Sequence, residues 1–177
     1  LQKAFSIPQP DGAEIAFFGG SFTCLPPERM KAYLDTALPY LESGRAESLR
    51  CSTRPDGIST EILPVLQAYR MRKVELGAQS FSDKVLSLNG RGHTAAQIES
   101  AFTLLRENGF TAGLQIMTGL PGETEEDHAL TVESVCRLHP DLLRIYPTAV
   151  IRGTPMARWM AEGKFTPKGT EESVVLC

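Results

Sequence analysis

The sequence has few of the residues that identify a function directly. It contains three histidines and four cysteines in 177 residues, and aromatic residues make up 7%. Its cysteines, at positions 24, 51, 136 and 177, follow neither the spacing of a zinc site nor that of a compact iron–sulfur motif. We therefore expect free, mostly buried thiols in a reducing compartment.

Long apolar runs and a strong net charge are also missing. No stretch approaches the roughly 20 apolar residues of a transmembrane helix, and the N-terminus lacks the basic-then-apolar pattern of a signal peptide. The net charge of −3 gives no overall attraction to nucleic acid, although it leaves room for a local basic patch. These features predict a cytoplasmic protein without a membrane partner, and they leave the oligomeric state open.

The common catalytic motifs are absent as well. There is no Walker loop, no GxGxxG after a strand, no GxSxG and no HExxH. Phosphoryl and acyl transfer are therefore not favoured, and no catalytic residue is assigned.

An alternation of strand and helix patterns is present from residue 14 to about residue 162. Strands are predicted at 14–20, 48–53, 73–80, 111–120 and 141–150, each followed or preceded by an amphipathic helical pattern. This order is typical of βα units around a parallel sheet. Because a complete eight-unit barrel needs roughly 250 residues, the chain is expected to be a single domain that forms part of a barrel.

Three of the predicted helices carry specific expectations. Pro39 is expected to kink or end the first helix, since proline removes a backbone hydrogen bond. The helix over 95–108 should bury one face, made of Ile98, Ala101, Phe102 and Leu105. The helix over 125–138 should bury Ala129, Val132, Val135 and Cys136.

Ligands of parallel α/β folds bind at the carboxyl ends of the strands, so the residues there are the candidates for a site. Gly19 and Gly20, followed by Ser21, end the first predicted strand. Paired glycines let a backbone approach a ligand closely, or they simply make a tight turn. Ser52 and Thr53 end the second strand.

The third and fourth strands end in polar residues of several kinds. Glu75 and Gln79 lie four residues apart and therefore share one face of their strand. A buried glutamate is costly unless it is paired, which argues against a purely structural role for Glu75. Arg91 offers a planar cation that can hold a carboxylate bidentately, and Gln115 offers an amide on the fourth strand.

Five motifs occur in the order expected for one known family: FFGGSFT, STRPD, ELGAQSF with VLSLNGRGHT, MTGLPGET and YPTAVIRGT. Together they resemble the radical S-adenosylmethionine (SAM) superfamily. Within it they are most similar to the branch shared by the Elongator catalytic subunit and the oxygen-independent coproporphyrinogen III oxidase-like proteins. The resemblance covers residues 14–167 of a domain predicted over 1–177.

The resemblance implies an α/β fold, a partial (β/α) barrel with parallel strands and outer helices. In that family a [4Fe–4S] cluster reductively cleaves SAM to a 5′-deoxyadenosyl radical at the strand carboxyl ends. Gly19, Gly20 and Ser21 match the motif whose backbone receives the methionine amino group of SAM. Ser52 and Thr53 match the stretch that faces the ribose.

The later motifs imply further contacts to SAM. Gln79 and Arg91 match a pair that contacts SAM, with the arginine at its carboxylate, and Glu75 faces the same end of the barrel. Gln115 falls where relatives carry a ribose-binding aspartate, and a glutamine can still bond a hydroxyl. Because YPTAVIRGT is most similar to the Elongator-like branch, tRNA or another large substrate is the expected partner of the parent protein.

The family's cluster motif, Cys-x3-Cys-x2-Cys, does not occur in the sequence. In the family it lies in the loop after the first barrel strand. The first βα unit is therefore expected to be missing, with the cluster ligands upstream of residue 1, and no metal ligand is assigned here. The alternatives left open are a SAM- or RNA-binding module without radical chemistry, a coproporphyrinogen oxidase-like enzyme, and an unrelated barrel fragment.

Overall fold

The computed structural model describes Leu1, residues 4–6 and residues 12–177. The strands are β1 (Glu14–Phe17), β2 (Ser48–Thr53), β3 (Met71–Gln79), β4 (Thr111–Thr118) and β5 (Leu142–Pro147). The helices are α1 (Pro27–Glu42), α2 (Ile62–Ala68), α3 (Asp83–Leu88), α4 (Ala95–Glu107), α5 (Glu125–Leu138), α6 (Pro155–Ala161) and α7 (Thr170–Leu176). In the described ranges, none of the helices has the length and apolar character needed to cross a membrane.

The five strands form one sheet in the order β1-β2-β3-β4-β5. β1 pairs with β2 and β2 with β3 in parallel, which sets Phe17 beside Cys51 and Ser52 beside Glu75. At least one helix lies between each strand and the next, because parallel neighbours need a crossover connection. The arrangement confirms the predicted α/β class.

The contacts between Cα atoms divide the chain into two compact units. The first consists of Leu1–Gly77 with Ser100–Gly113, and the second of Ala78–Glu99 with Leu114–Cys177. The expectation of one domain over the whole chain stays a prediction.

The first unit has an aliphatic core. Its fully buried residues include Leu34 on α1, Leu49 on β2, Leu66 on α2 and Leu76 on β3. On α1 the buried residues recur at helical spacing, and on β3 the consecutive residues 74–76 are all buried, as expected of a strand that is covered on both faces. This core fixes the positions of β2 and of β3 up to Gly77.

The second unit combines apolar and polar packing. Leu86 on α3 and Leu114 on β4 are fully buried. Ser80 and Thr131 are also buried, and the Thr131 hydroxyl accepts a hydrogen bond from the Phe81 N–H at 3.1 Å and lies 3.2 Å from the Ser80 hydroxyl. Thus α5 packs through hydrogen-bonded hydroxyls as well as through apolar side chains.

Two helix predictions were wrong in part. Pro39 lies inside α1, which continues to Glu42 and so is not ended by the proline. On α5 the buried residues are Thr131, Ser134 and Val135, whereas Ala129, Val132 and Cys136 are exposed. The buried face of α5 is rotated toward Thr131 and Ser134, and the Thr131 hydroxyl finds partners at Ser80 and Phe81, which an apolar periodicity does not reveal. The predicted face of α4 is confirmed.

The cysteine prediction is also corrected. All four thiols are free, as predicted, but only Cys51 is buried, while Cys24, Cys136 and Cys177 are exposed. The exposed cysteines lie at a turn after β1, on the outer face of α5 and at the last residue. A thiol's burial depends on which face of its element is covered, and the residue type alone does not specify that face.

Candidate functional site

The glycine loop after β1 requires glycine for its backbone. Gly19 has φ +133° and Gly20 has φ +73°, conformations that side chains rarely adopt. A Cβ added at either position would meet no heavy atom within 4 Å, so space beside both glycines is open. The loop therefore exposes backbone amides and carbonyls that a ligand can approach closely.

A polar chain connects the end of β2 to the middle of β3 within the first unit. The Ser52 hydroxyl donates to Glu75 Oε1 at 3.1 Å, and Arg50 Nη2 lies 4.0 Å from Glu75 Oε2. Glu75 is only 5% exposed, so its charge depends on these partners. Arg50 was not among the predicted site residues, although it lies two residues before Ser52, on the same face of β2.

Thr53 has a different position from Ser52. It is fully buried, and its hydroxyl lies 2.6 Å from the Thr23 hydroxyl and accepts a hydrogen bond from the Thr23 N–H at 3.2 Å. These contacts fasten the turn after β1 to the end of β2. The Thr53 side chain therefore stabilises the turn after β1. Ser52, in contrast, is partly exposed.

Gln79 and Gln115 form a reciprocal amide pair in the second unit. Gln79 Nε2 donates to Gln115 Oε1 at 3.2 Å, and Gln115 Nε2 donates to Gln79 Oε1 at 3.0 Å. Gln79 is 8% exposed and has φ +70°, so the end of β3 is bent at this residue. Gln79 retains one further N–H, and each amide oxygen retains one lone pair, whereas the second N–H of Gln115 donates to the Ile116 carbonyl at 3.5 Å.

Arg91 is a half-buried cation that has no carboxylate partner within 4.0 Å in the part of the chain that the structure describes. Its Nη2 donates to the Met117 thioether at 3.3 Å, a weak acceptor, and its buried Nε has no hydrogen-bond partner. Burial lowers the pKa of this guanidinium, which nevertheless stays charged at neutral pH. The Arg91 guanidinium therefore has N–H donors that are not bonded to any oxygen acceptor.

The loop after β4 is held by its own acid. Glu123 Oε2 accepts the Gly119 N–H at 2.6 Å, which closes the turn over Gly119–Gly122. Burial raises the pKa of Glu123, and the hydrogen bond from Gly119 opposes that rise. The loop motif GLPGET is thus accounted for by turn chemistry, as the residue pattern alone allowed.

The described residues offer no metal centre. In the part of the chain that the structure describes, no group of three or more His, Cys, Asp or Glu side chains could hold a metal ion. Burial raises the pKa of the Cys51 thiol to about 12, so this residue stays protonated and is a poor metal ligand. The cysteines present here do not fit an iron–sulfur cluster.

The structure brings some of the predicted residues into contact and leaves others separate. Ser52 contacts Glu75, and Gln79 contacts Gln115. Arg91 has Met117 as its partner, and Gly19 and Gly20 form an exposed loop with the partly exposed Ser21. Met117, like Arg50, was missed, although its position two residues after Gln115 on β4 was the available signal.

Two family models match almost the whole chain. Residues 1–135 match the model of the Radical SAM superfamily, and residues 140–177 match the model of the Radical_SAM C-terminal domain. A curated relative from Dehalococcoides mccartyi (strain CBDB1), a tRNA uridine(34) acetyltransferase, is 37% identical over 126 residues. That alignment covers 70% of this chain and 28% of the relative.

Solved structures show the same fold. The archaeal Elp3 of Methanocaldococcus infernus, with an N-terminal deletion, gives a TM-score of 0.83 at 25% identity, covering 99% of this chain and 46% of that one. Coproporphyrinogen III oxidase from Escherichia coli, described as a radical SAM enzyme, gives a TM-score of 0.70 at 22% identity, covering 93% and 38%. The likeness confirms the predicted partial barrel type. The chain spans less than half the length of these proteins.

Proposed function

The chain belongs to the radical SAM superfamily, and from this premise we propose that it supplies the SAM-binding residues of an enzyme that modifies tRNA. Members of this superfamily use SAM together with a [4Fe–4S] cluster. The proposal concerns what the residues of this chain do, namely bind and orient SAM.

Arg91 carries the proposal. A guanidinium that is half-buried, with an unbonded buried Nε and only a thioether as acceptor, calls for an anionic partner. The methionine carboxylate of SAM is such a partner, and it would accept the hydrogen bonds that Met117 cannot match. A structural arginine would be expected to have found a carboxylate or carbonyl within the fold.

The amide pair supports the same ligand within the second unit. Gln79 and Gln115 hold one another in a fixed orientation, which presents the remaining N–H of Gln79 and the oxygens of both amides at the end of β3 and on β4. Hydroxyl groups both donate and accept, so the ribose of SAM suits this pair. Gln115 would thereby replace the aspartate that relatives carry.

In the first unit the glycine loop and Ser52 are assigned to the polar groups of SAM. The open space beside Gly19 and Gly20 lets their carbonyls receive an ammonium group such as the SAM amine. Ser52 is held by Glu75, whose buried carboxylate in turn lies near Arg50. We assign Ser52, rather than the fully engaged Thr53, to the ribose.

The cluster is not assigned to residues of this chain. The cysteines present in the described residues do not fit it, so no chemical step is derived through it.

The substrate assignment comes from the relatives. Curated relatives of this chain include tRNA uridine(34) acetyltransferases and Elongator complex protein 3. We propose a tRNA substrate for this protein on that ground, which would place it in the cytoplasm, as the sequence predicts.

The test is SAM binding by an Arg91→Ala variant, measured by titration calorimetry. Hydrogen bonds to charged groups contribute roughly 1.5–3 kcal/mol, so the variant should bind SAM on the order of tenfold more weakly or worse. Arg91→Lys should recover part of the affinity, because it restores the charge without the planar fork.

Arg29→Ala is the matched control. Arg29 is an exposed arginine on α1, so its loss removes the same charge without touching the proposed site. This variant should bind SAM as the unaltered chain does. Equal SAM affinity in Arg91→Ala and Arg29→Ala would contradict the proposal that Arg91 binds the SAM carboxylate.

A further inference from the structure

A cavity in the second unit is not used by the proposed SAM contacts. Its volume is about 310 Å³, and it is lined by Asn89, Ile151, Thr154, Met156 and Trp159 among others. The volume lies at the lower end of the range for pockets that hold small organic groups. It suits one planar ring system better than an extended segment of chain.

Trp159 gives this cavity an aromatic wall. It is the only tryptophan of the chain, lies on α6 and is half-buried. Ile151, which also lines the cavity, is 68% exposed and adds apolar surface at its rim. An aromatic face beside exposed apolar surface is the arrangement on which nucleobases stack.

The Asn89 side chain can offer a ligand only a hydrogen-bond acceptor. Both bonds of its Nδ2 are used, toward the Val85 carbonyl at 2.8 Å and the Pro121 carbonyl at 3.0 Å. These two acceptors fix the orientation of the amide, so only Oδ1 remains for a ligand. An acceptor of this kind pairs with the ring N–H or amino groups on the edge of a nucleobase.

The segment around the cavity is basic, although the chain as a whole is acidic. Residues 149–168 contain four basic residues and one acidic residue, whereas the whole chain has a net charge of −3. Lys164 is paired with Glu162 at 2.7 Å, and Lys168 lies 3.9 Å from Glu172. The exposed Arg152 and Arg158 have no acidic partner within 4.0 Å among the described residues, so they are available for phosphates.

From these observations we propose that the cavity at Trp159 receives one unstacked base of a single-stranded RNA segment, while Arg152 and Arg158 bind the adjacent phosphates. Charge complementarity selects this occupant, since an apolar peptide would leave both guanidinium groups unused. The inference rests on the proposed tRNA substrate and gives it a binding surface. It concerns RNA binding and requires neither SAM nor the cluster.

The single tryptophan supplies the measurement. Titration of the 177-residue chain with a short oligouridylate, without SAM, should quench the fluorescence of Trp159 as the base stacks on it. Inorganic polyphosphate is the charge-matched probe without bases and should bind without comparable quenching. Binding should weaken with added salt, because phosphate contacts release counterions.

Variants then separate stacking from charge. Trp159→Ala should weaken oligouridylate binding, followed by the anisotropy of a labelled RNA, on the order of tenfold. Trp159→Phe should retain most of the affinity, since it keeps an aromatic face. Met160→Ala is the matched control, because Met160 is 45% exposed on the same helix and does not line the cavity. Circular dichroism checks that each variant folds.

Each contrary result has a definite meaning. Unchanged RNA affinity in Trp159→Ala, equal quenching by polyphosphate, or no RNA binding at all would overturn the proposal. Quenching by an apolar peptide in place of RNA would assign the cavity to a protein partner and overturn it as well. Trp159→Ala should keep the SAM affinity of the unaltered chain. Failure of SAM binding with intact RNA binding would instead contradict the proposed SAM contacts.

Discussion

Whether a residue of this chain can bind a ligand depends on whether its polar atoms already have hydrogen-bond partners within the fold. Arg91 has a thioether where a cation normally finds an oxygen, whereas Thr53 has its hydroxyl fully engaged by Thr23. The resemblance to family motifs predicted both as ligand-binding. Which of them keeps unused capacity depends on neighbours far away in sequence, and these cannot be inferred from local pattern.

The cysteines provide a prediction at this scale. With its pKa raised to about 12 by burial, Cys51 should react only slowly with a thiol reagent at pH 8. The three exposed cysteines should react quickly in the native chain, and all four should react once it is denatured. Mass spectrometry of the labelled peptides measures this directly. Rapid labelling of Cys51 in the folded chain would show that the carboxyl half of β2 is not covered as described.

At the scale of elements, the order of strands and of the first five helices could be predicted from periodicity and turn residues. The bounds of β2 were also predicted, but the ends of β1 and β4 were not, because the predicted strands ran on into Gly19 and Gly119, both of which have positive φ. Helices α6 and α7 were missed, since neither has a buried apolar face that would give a clear amphipathic period. The sequence Thr154-Pro155 at the start of α6 was an available signal, because the Thr154 hydroxyl accepts the Ala157 N–H.

The start of α5 yields a prediction about acid stability. Asp127 accepts hydrogen bonds from Ser82 at 2.7 Å, Lys84 at 2.9 Å and the Thr124 N–H at 3.0 Å. These bonds, that of Ser82 first, lower the pKa of Asp127 below its usual 3.8. Because the folded pKa is depressed, the stabilisation is present above the unfolded pKa and is lost as the pH falls below it.

Asp127→Asn should therefore lower the free energy of unfolding by about 1 kcal/mol at neutral pH, the usual size of a capping contribution. The difference from the unaltered chain should shrink as the pH falls below about 4. Urea unfolding at several pH values measures it. Glu125→Gln, an exposed acid in the same turn, is the control. A difference that does not depend on pH would exclude the ionised carboxylate as its cause.

The turn after β2 gives a second prediction about stability. A Cβ at Gly57 would lie 2.6 Å from both Cys24 Sγ and Thr23 Oγ1, so Gly57→Ala should destabilise the chain by about 1–3 kcal/mol. At Gly169 the added Cβ would meet only Glu172 Oε2 at 3.7 Å, which makes Gly169→Ala the control. Thermal unfolding compares them. Equal melting temperatures would mean that the turn repacks without cost.

At the scale of the whole molecule, ordered motifs predicted the family, while composition predicted little. The net charge of −3 does not indicate the basic segment over residues 149–168, because acidic residues outnumber basic residues in the rest of the chain. The pairing of Gln79 with Gln115 was not predictable in detail either, since it depends on the register of strands that are 36 residues apart. Family membership is shown over most of the chain, and the assignment of SAM to individual residues is the step that remains for experiment.

That assignment is tested most directly by comparing SAM with its decarboxylated form in equilibrium dialysis, using the unaltered chain and Arg91→Ala. If Arg91 holds the SAM carboxylate, the unaltered chain should prefer SAM on the order of tenfold, and the variant should bind both compounds equally. The same preference in both proteins, or no SAM binding by the unaltered chain, would contradict the account.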